Sequence, residues 1–267
     1  FGCARHFIAK GYHVFGSVRK KSDADSVKSQ LGPEFTPLLF DVADRPAIDA
    51  AVKVVEAAVQ GKGLGGLINN AGIAEGGPLM HIPIETVRKQ FEVNVFGLLQ
   101  VTQAFLPLLG AVKNHPTAPG RILNISSVAG KMAGPFLGPY VGSKHAVEGI
   151  SHTLRRELQG YGIDVIIIGP GPVVTPIWEK ERDANAYDHT DFAVPVKNFA
   201  AYMKQQGMTG LTIDEVGEAV VKIFMKKNPK TRYALLKGKF QNWTLPRLLP
   251  DRWIDRMIGK GTGLLER

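Results

Sequence analysis

Short β-branched runs alternate with longer helical stretches along the chain, and this alternation restricts the fold more than any other feature. Residues Gly11 to Val18 read as a strand following a helix that ends at Lys10-Gly11, with Gly11 as its C-cap. A helix near Asp23 to Leu31 and a strand near Thr36 to Val42 come next. A helix near Pro46 to Gln60, with Ala47, Ala51, Val54, Val55 and Ala58 at helical spacing, then leads to a strand from Leu64 to Asn69. A long helical region from Pro83 to about Val112, broken at Pro107, precedes a strand from Arg121 to Ser126. A helix from about Tyr140 to Gly160 precedes the strand Asp164 to Ile168, and a helix near Ile213 to Met225 precedes a strand Thr231 to Leu236. Repeated βα units of this kind predict an α/β fold. The expected architecture is a doubly wound parallel sheet with helices on both faces and ligands beyond the carboxyl ends of its strands. No low-complexity linker or repeat interrupts the pattern, so one domain is expected over residues 1–267.

Composition removes several alternatives. With 44% hydrophobic and 21% charged residues, the chain can bury a substantial core, which excludes disorder and collagen-like repeats. Cys3 is the single cysteine and no Cys/His cluster accompanies it, so neither a disulfide scaffold nor a structural metal is expected, and a reducing, cytoplasmic compartment is. No apolar run approaches the ~20 residues of a membrane span, since Val165 to Ile168 is stopped by Gly169-Pro170-Gly171. The net charge of +9 is concentrated in residues 226–267, where eleven Lys/Arg face three Asp/Glu, a local +8. That basic segment also carries Trp243, Leu245, Leu248, Leu249, Trp253 and Ile254. It suits peripheral contact with an anionic membrane surface, the cover of an apolar substrate pocket, or a solvated rim with a few core anchors. No recognised nucleic-acid motif accompanies the charge, so no nucleic-acid partner is expected.

Two short motifs carry chemistry. Asn69-Asn70-Ala71-Gly72 follows a strand, where amides can bond both backbone and a ribose and the small pair admits a close approach; a plain turn would use the same residues. In Tyr140-Val141-Gly142-Ser143-Lys144 a spacing of four puts phenol and ammonium on one helix face. A cation there favours the phenolate, drawing the phenol down from its usual pKa of about 10 toward use as a proton donor near neutrality. Taken alone, such a pair also occurs as a solvated face.

Together with Asn94 in Asn94-Val95-Phe96-Gly97 and Ser127 closing Ile125-Ser126-Ser127, these motifs resemble, in order and spacing, the short-chain dehydrogenase/reductases. The resemblance covers essentially the whole chain, and Pro170-Gly171-Pro172-Val173-Val174-Thr175 looks like that family's turn at the nicotinamide end of the cofactor. It implies a Rossmann-like fold and an oxidoreductase that interconverts an alcohol and a ketone or aldehyde by hydride transfer. It further implies Tyr140 as acid/base, Lys144 on the nicotinamide ribose, Ser127 on the substrate carbonyl, and Asn94 positioning a water that relays the proton. Ser127 is preferred to Ser126 because its distance to Tyr140, from 127 to 140, fits the family pattern.

The same resemblance assigns the cofactor to Arg19, Asp41, Val42, Asn70, Ala71, Gly72, Tyr140, Lys144, Pro170, Gly171, Val173 and Thr175. Arg19, Lys20 and Lys21 after the first strand favour NADP(H) over NAD(H), since cations accept a 2′-phosphate that an acidic side chain would repel; a solvated basic turn is the alternative. Asp41 could instead be only the cap of the following helix. A sheet of this kind opens with a strand and a glycine-rich turn, both expected before Phe1, with Gly2 a less suitable candidate for the turn.

Residues 175–210 are expected to form a substrate lid containing Trp178, Tyr187, Phe192, Phe199, Tyr202 and Met203, with Met132 and Phe136 added; these aromatics could equally pack the lid onto the body. The chain looks most like the steroid and retinol dehydrogenase side of the family, which implies a lipophilic substrate. A broad small-carbonyl reductase and a non-catalytic NADP-sensing protein are the alternatives. A homodimer or homotetramer is expected from the resemblance and from apolar Phe96, Leu98, Leu99, Phe105, Val147 and Ile150 on the long helices.

Overall fold

The computed structural model describes residues 1–175 and 185–266. The chain runs α1 (Gly2–Ile8), β1 (Val14–Val18), α2 (Lys21–Leu31), β2 (Phe35–Leu39), α3 (Arg45–Val59) and β3 (Gly66–Asn69). It continues with α4 (Ile84–Phe91), α5 (Leu98–Phe105), β4 (Arg121–Ile125), α6 (Gly138–Glu157) and β5 (Asp164–Pro170). Next come β6 (Val173–Val174), α7 (Ala193–Met208), β7 (Leu211–Thr212), α8 (Ile213–Phe224), β8 (Arg232–Leu235) and α9 (Asp251–Thr262). All pairings are parallel: β1 with β2, the row β3-β4-β5-β8, and the short pair β6 with β7.

Alternation along the central strands explains why they read as apolar runs. Leu123, Ile166 and Ile168 pack against Phe7 of α1 and Val220, Val221, Ile223 and Phe224 of α8, whereas Ile122 and Val165 pack on the opposite side with Leu109, Leu154 and Leu158. A strand covered on both faces has no polar face to show. A third cluster joins Leu38 and Phe40, in and just after β2, to Ile48, Ala51 and Val55 of α3 and Val101 and Phe105 of α5.

Several boundaries differ from the sequence reading for identifiable reasons. The first helix ends at Ile8, and Gly11 makes the left-handed turn (φ +80°) with its N–H on the Ile8 carbonyl at 2.9 Å. Gly2 is used for helix packing, since a β-carbon on Gly217 of α8 would stand 2.5 Å from the Gly2 carbonyl carbon. The cap of α3 is Asp44, which accepts from the Ala47 N–H at 3.1 Å, so Asp41 does not cap that helix. The region expected to be helical from Pro83 to Val112 contains a π-helical segment, Glu92–Gly97, between α4 and α5, and ends in a 3₁₀ turn at Pro107–Leu109.

Helix α6 is locked to β8 by a buried charge pair. Glu148, 2% exposed at its side chain, accepts from Arg232 Nε with both carboxylate oxygens, at 3.0 and 2.9 Å, while Lys131 Nζ lies 3.6 Å away. Removing one member strands the other in a low-dielectric site. Glu148→Ala should therefore cost about 3–5 kcal/mol. The change should appear as a lower urea midpoint with an unchanged m-value; an unfolding curve matching the parent protein would show that the pair is solvated.

Candidate active site

Ser127, Tyr140 and Lys144 line one large cavity, of about 1480 Å³, together with Asn70-Ala71-Gly72 and Pro170, Gly171, Val173 and Thr175. The carboxyl ends of β3, β4 and β5 deliver these residues, while α6 carries Tyr140 and Lys144 one turn apart on a single face. Lys144 is 6% exposed, its Nζ donates to the Ile125 carbonyl at 2.9 Å, and the same nitrogen lies 5.8 Å from the Tyr140 ring centroid. Burial pushes the Lys144 ammonium down to about 8, against the opposing pull of the Glu148 charge. The ammonium therefore remains mostly protonated at neutral pH, with two of its three N–H donors available beyond Ile125.

Ser127 caps the short 3₁₀ turn Val128–Gly130: its Oγ accepts from the Ala129 N–H at 3.1 Å and donates to the Pro170 carbonyl at 3.4 Å. Arg232 Nη2 donates to the Ser127 carbonyl at 3.0 Å, so the α6–β8 charge pair also holds the serine's backbone. Ser126 is different: its Oγ is buried with no hydrogen-bond partner among the described residues and lies beneath Gly130, beside Glu148.

Asn69, the last residue of β3, and Asn70 after it both border the cavity but differ in burial. Asn69 is 7% exposed and donates to Thr102 Oγ1 and Asn124 Oδ1, both at 2.8 Å, while Asn124 donates to Ser151 Oγ at 2.8 Å. This polar ladder ties β3, β4, α5 and α6 together through the core. Asn70 stands in the cavity wall. Sequence reasoning missed the ladder; its only signal was an asparagine, Asn124, among the apolar residues of a strand.

Asn94 lies 1% exposed within the π-helical segment. Its Oδ1 accepts from the Ile73 N–H at 2.8 Å, and its Nδ2 donates to the Ile73 carbonyl and to Ser143 Oγ, both at 3.0 Å. The amide thus fastens the loop after β3 to α6. A β-carbon on Gly72 would stand 3.2 Å from Asn94 Oδ1 and 3.7 Å from Lys144 Nζ, so glycine keeps open a small cradle walled by an acceptor and a cation. That cradle and the asparagine-lined turn fit a nucleotide ribose.

Val18 and Val42 also line the cavity. Beside them, Arg19 Nη1 lies 4.0 Å from Asp41 Oδ2, with both side chains largely exposed. Such a long, solvated pair is worth little, so it would not hold the guanidinium away from a phosphate.

The apolar wall comes from late in the chain. Phe199 and Met203 of α7, Leu245 and Leu249, and Ile254 and Ile258 of α9 all face the cavity. Phe136, Phe192 and Phe199 form an edge-to-face cluster, with centroids 6.0 and 5.7 Å apart, so part of the aromatic set packs the lid onto the body. Trp178 lies outside the described residues. Of the readings open to the basic segment, cover of an apolar pocket matches its inner side, while Leu248 and Trp253 face outward, 74% and 60% exposed. No helix among the described residues is long and apolar enough to cross a membrane. Of the six residues taken to suggest association, Leu98, Phe105 and Val147 are buried in the chain's own core, Leu99 and Ile150 are half-buried, and Phe96 is 50% exposed.

Comparison with known proteins agrees with this geometry. The family model for short chain dehydrogenases matches residues 1–186. The chain is 43% identical over 255 residues to an NADPH-dependent 3-dehydrocapnine reductase of Ornithobacterium rhinotracheale, covering 95% of this chain and 90% of that protein. It is 32% identical over 269 residues to dehydrogenase/reductase SDR family member 9 of Bos taurus, covering 93% and 81%. Among solved structures, the closed form of serine dehydrogenase complexed with NADP+ superposes with a TM-score of 0.71 at 27% identity, covering 88% and 89%. The chain is a member of the short-chain dehydrogenase/reductase family, and an oxidoreductase.

Proposed function

We propose that the protein is an NADP(H)-dependent oxidoreductase that interconverts an alcohol and a ketone or aldehyde on a lipophilic substrate, using Tyr140 as acid/base. The observation that carries this reading is the shared cavity: Ser127, Tyr140 and Lys144 line it together with aliphatic and aromatic side chains of α7, α9 and the segment between them. A steroid- or retinoid-sized apolar body suits that lining, and the 3-dehydrocapnine reductase relative supports action in the reducing direction.

The nicotinamide, when bound, supplies hydride to the carbonyl carbon. As the carbonyl oxygen gains negative charge, the Tyr140 hydroxyl gives it a proton and the Ser127 hydroxyl, rotating off the Pro170 carbonyl 3.4 Å away, donates a hydrogen bond. Lys144 holds the ribose with its remaining N–H donors and favours the phenolate left on Tyr140. Asn94 Oδ1 has a second lone pair for the water that returns a proton. Asn70, Ala71, Gly72, Pro170, Gly171, Val173 and Thr175, which line the cavity, would border the cofactor, with Val42 and Asp41 toward its adenine and Arg19 toward its 2′-phosphate. An NADPH-dependent relative and a neighbour complexed with NADP+ support that cofactor choice.

Tyr140→Phe should abolish turnover across a panel from small aldehydes to long apolar ketones while cofactor binding persists, and Lys144→Ala should damage both. Retention of more than about a tenth of the parent kcat, equal to ~1.4 kcal/mol of barrier, would contradict the role of Tyr140. Arg19→Asp should shift the ratio of kcat/KM values from NADPH toward NADH, mainly through KM; an unchanged ratio would place Arg19 in solvent. A homodimer or homotetramer is expected, because exposed Phe96 lies on the helical layer formed by α4 and α5. Light scattering at micromolar concentration should give a multiple of 29.0 kDa, and a monomer mass would refute it.

A further inference from the structure

Beside β8 lies a second, smaller cavity of about 420 Å³. Lys226, Lys230, Arg232, Lys239 and Arg247 line it, and no acidic side chain does. Only Arg232 has a carboxylate partner, Glu148; the other four cations make no ion pair among the described residues.

Three of the five cations rest on aromatic rings. Trp243, 8% exposed, forms a rigid floor, and the guanidinium carbons of Arg232 and Arg247 each lie 4.5 Å from its ring centroid. Lys226 Nζ lies 5.7 Å from the Tyr233 ring centroid, and the Tyr233 hydroxyl oxygen accepts from the Lys230 N–H at 2.7 Å. Aromatic anchoring reduces the ordering cost of charged side chains, and a cation cluster without a counter-charge favours a multivalent anion.

We propose that this pocket is a binding site for a phosphate-bearing anion, separate from the cofactor cavity and sharing Arg232 with the catalytic wall. The Arg232 Nη2 to Ser127 carbonyl bond means that occupancy is felt at the active site.

Isothermal titration with inorganic pyrophosphate, on the full chain saturated with NADP+ so that the cofactor's phosphate contacts are filled, tests the site. One saturable site per chain is expected. Its Kd should rise at least tenfold in Lys239→Glu/Arg247→Glu and also in the milder Lys226→Ala/Lys230→Ala, which serves if the first variant folds poorly. Lys53→Glu/Lys260→Glu, an equal change in net charge outside the pocket, should leave Kd within twofold. Sedimentation with phosphatidylglycerol vesicles, against phosphatidylcholine vesicles, distinguishes the source. Pocket-dependent binding to pyrophosphate alone identifies a soluble phosphate compound; pocket-dependent binding to phosphatidylglycerol vesicles as well identifies a lipid headgroup. Absent saturable binding, or equal weakening by the pocket and control variants, would overturn the proposal.

Discussion

Helix α6 sets Tyr140, Lys144 and Glu148 in one row at successive steps of four, and the rest of the site depends on how that row is buried. Lys144 is nearly enclosed, which would expel its charge without compensation; the Ile125 carbonyl and the Glu148 carboxylate supply it and leave the ammonium at about 8. Glu148 in turn binds Arg232, and Arg232 holds the Ser127 carbonyl. A buried carboxylate two turns along the same helix thus orders both α6 and the turn that carries Ser127.

The strands were legible in the sequence because β4 and β5 are covered on both faces and read as β-branched runs between turn residues. The Tyr140–Lys144 pair was legible for a different reason, its spacing of four on a helix, and Ser127 only through the family resemblance; all three line one cavity. Other features depend on partners distant in the chain. The division of labour between Asn69 and Asn70 follows from Thr102 and Asn124, which a local reading does not connect. Helices α7 and α9 escaped because Pro195 sits in the first turn of one and Gly259 and Gly261 interrupt the other, while both draw stability from packing over the cavity. The π-helical segment that seats Asn94 has no recognisable residue signature.

The basic C-terminal segment was the most ambiguous part of the sequence, and the structure gives its two sides different surroundings. One side turns Leu245, Leu249 and Ile254 into the cavity that Tyr140 lines. The other gathers cations around Trp243. Apolar cavity lining and surface charge are therefore carried by different residues of one segment.

The central claim is that this cavity moves a hydride to a carbonyl carbon while Tyr140 supplies the proton. Isotope transfer tests it most directly: the protein is incubated with a long-chain ketone and NADPH deuterated at the nicotinamide C4 on one face, then on the other. The account predicts that one of the two preparations places deuterium on the carbinol carbon of the product and the other does not. Alcohol free of deuterium from both preparations, or no alcohol from any ketone or aldehyde in the panel, would contradict it.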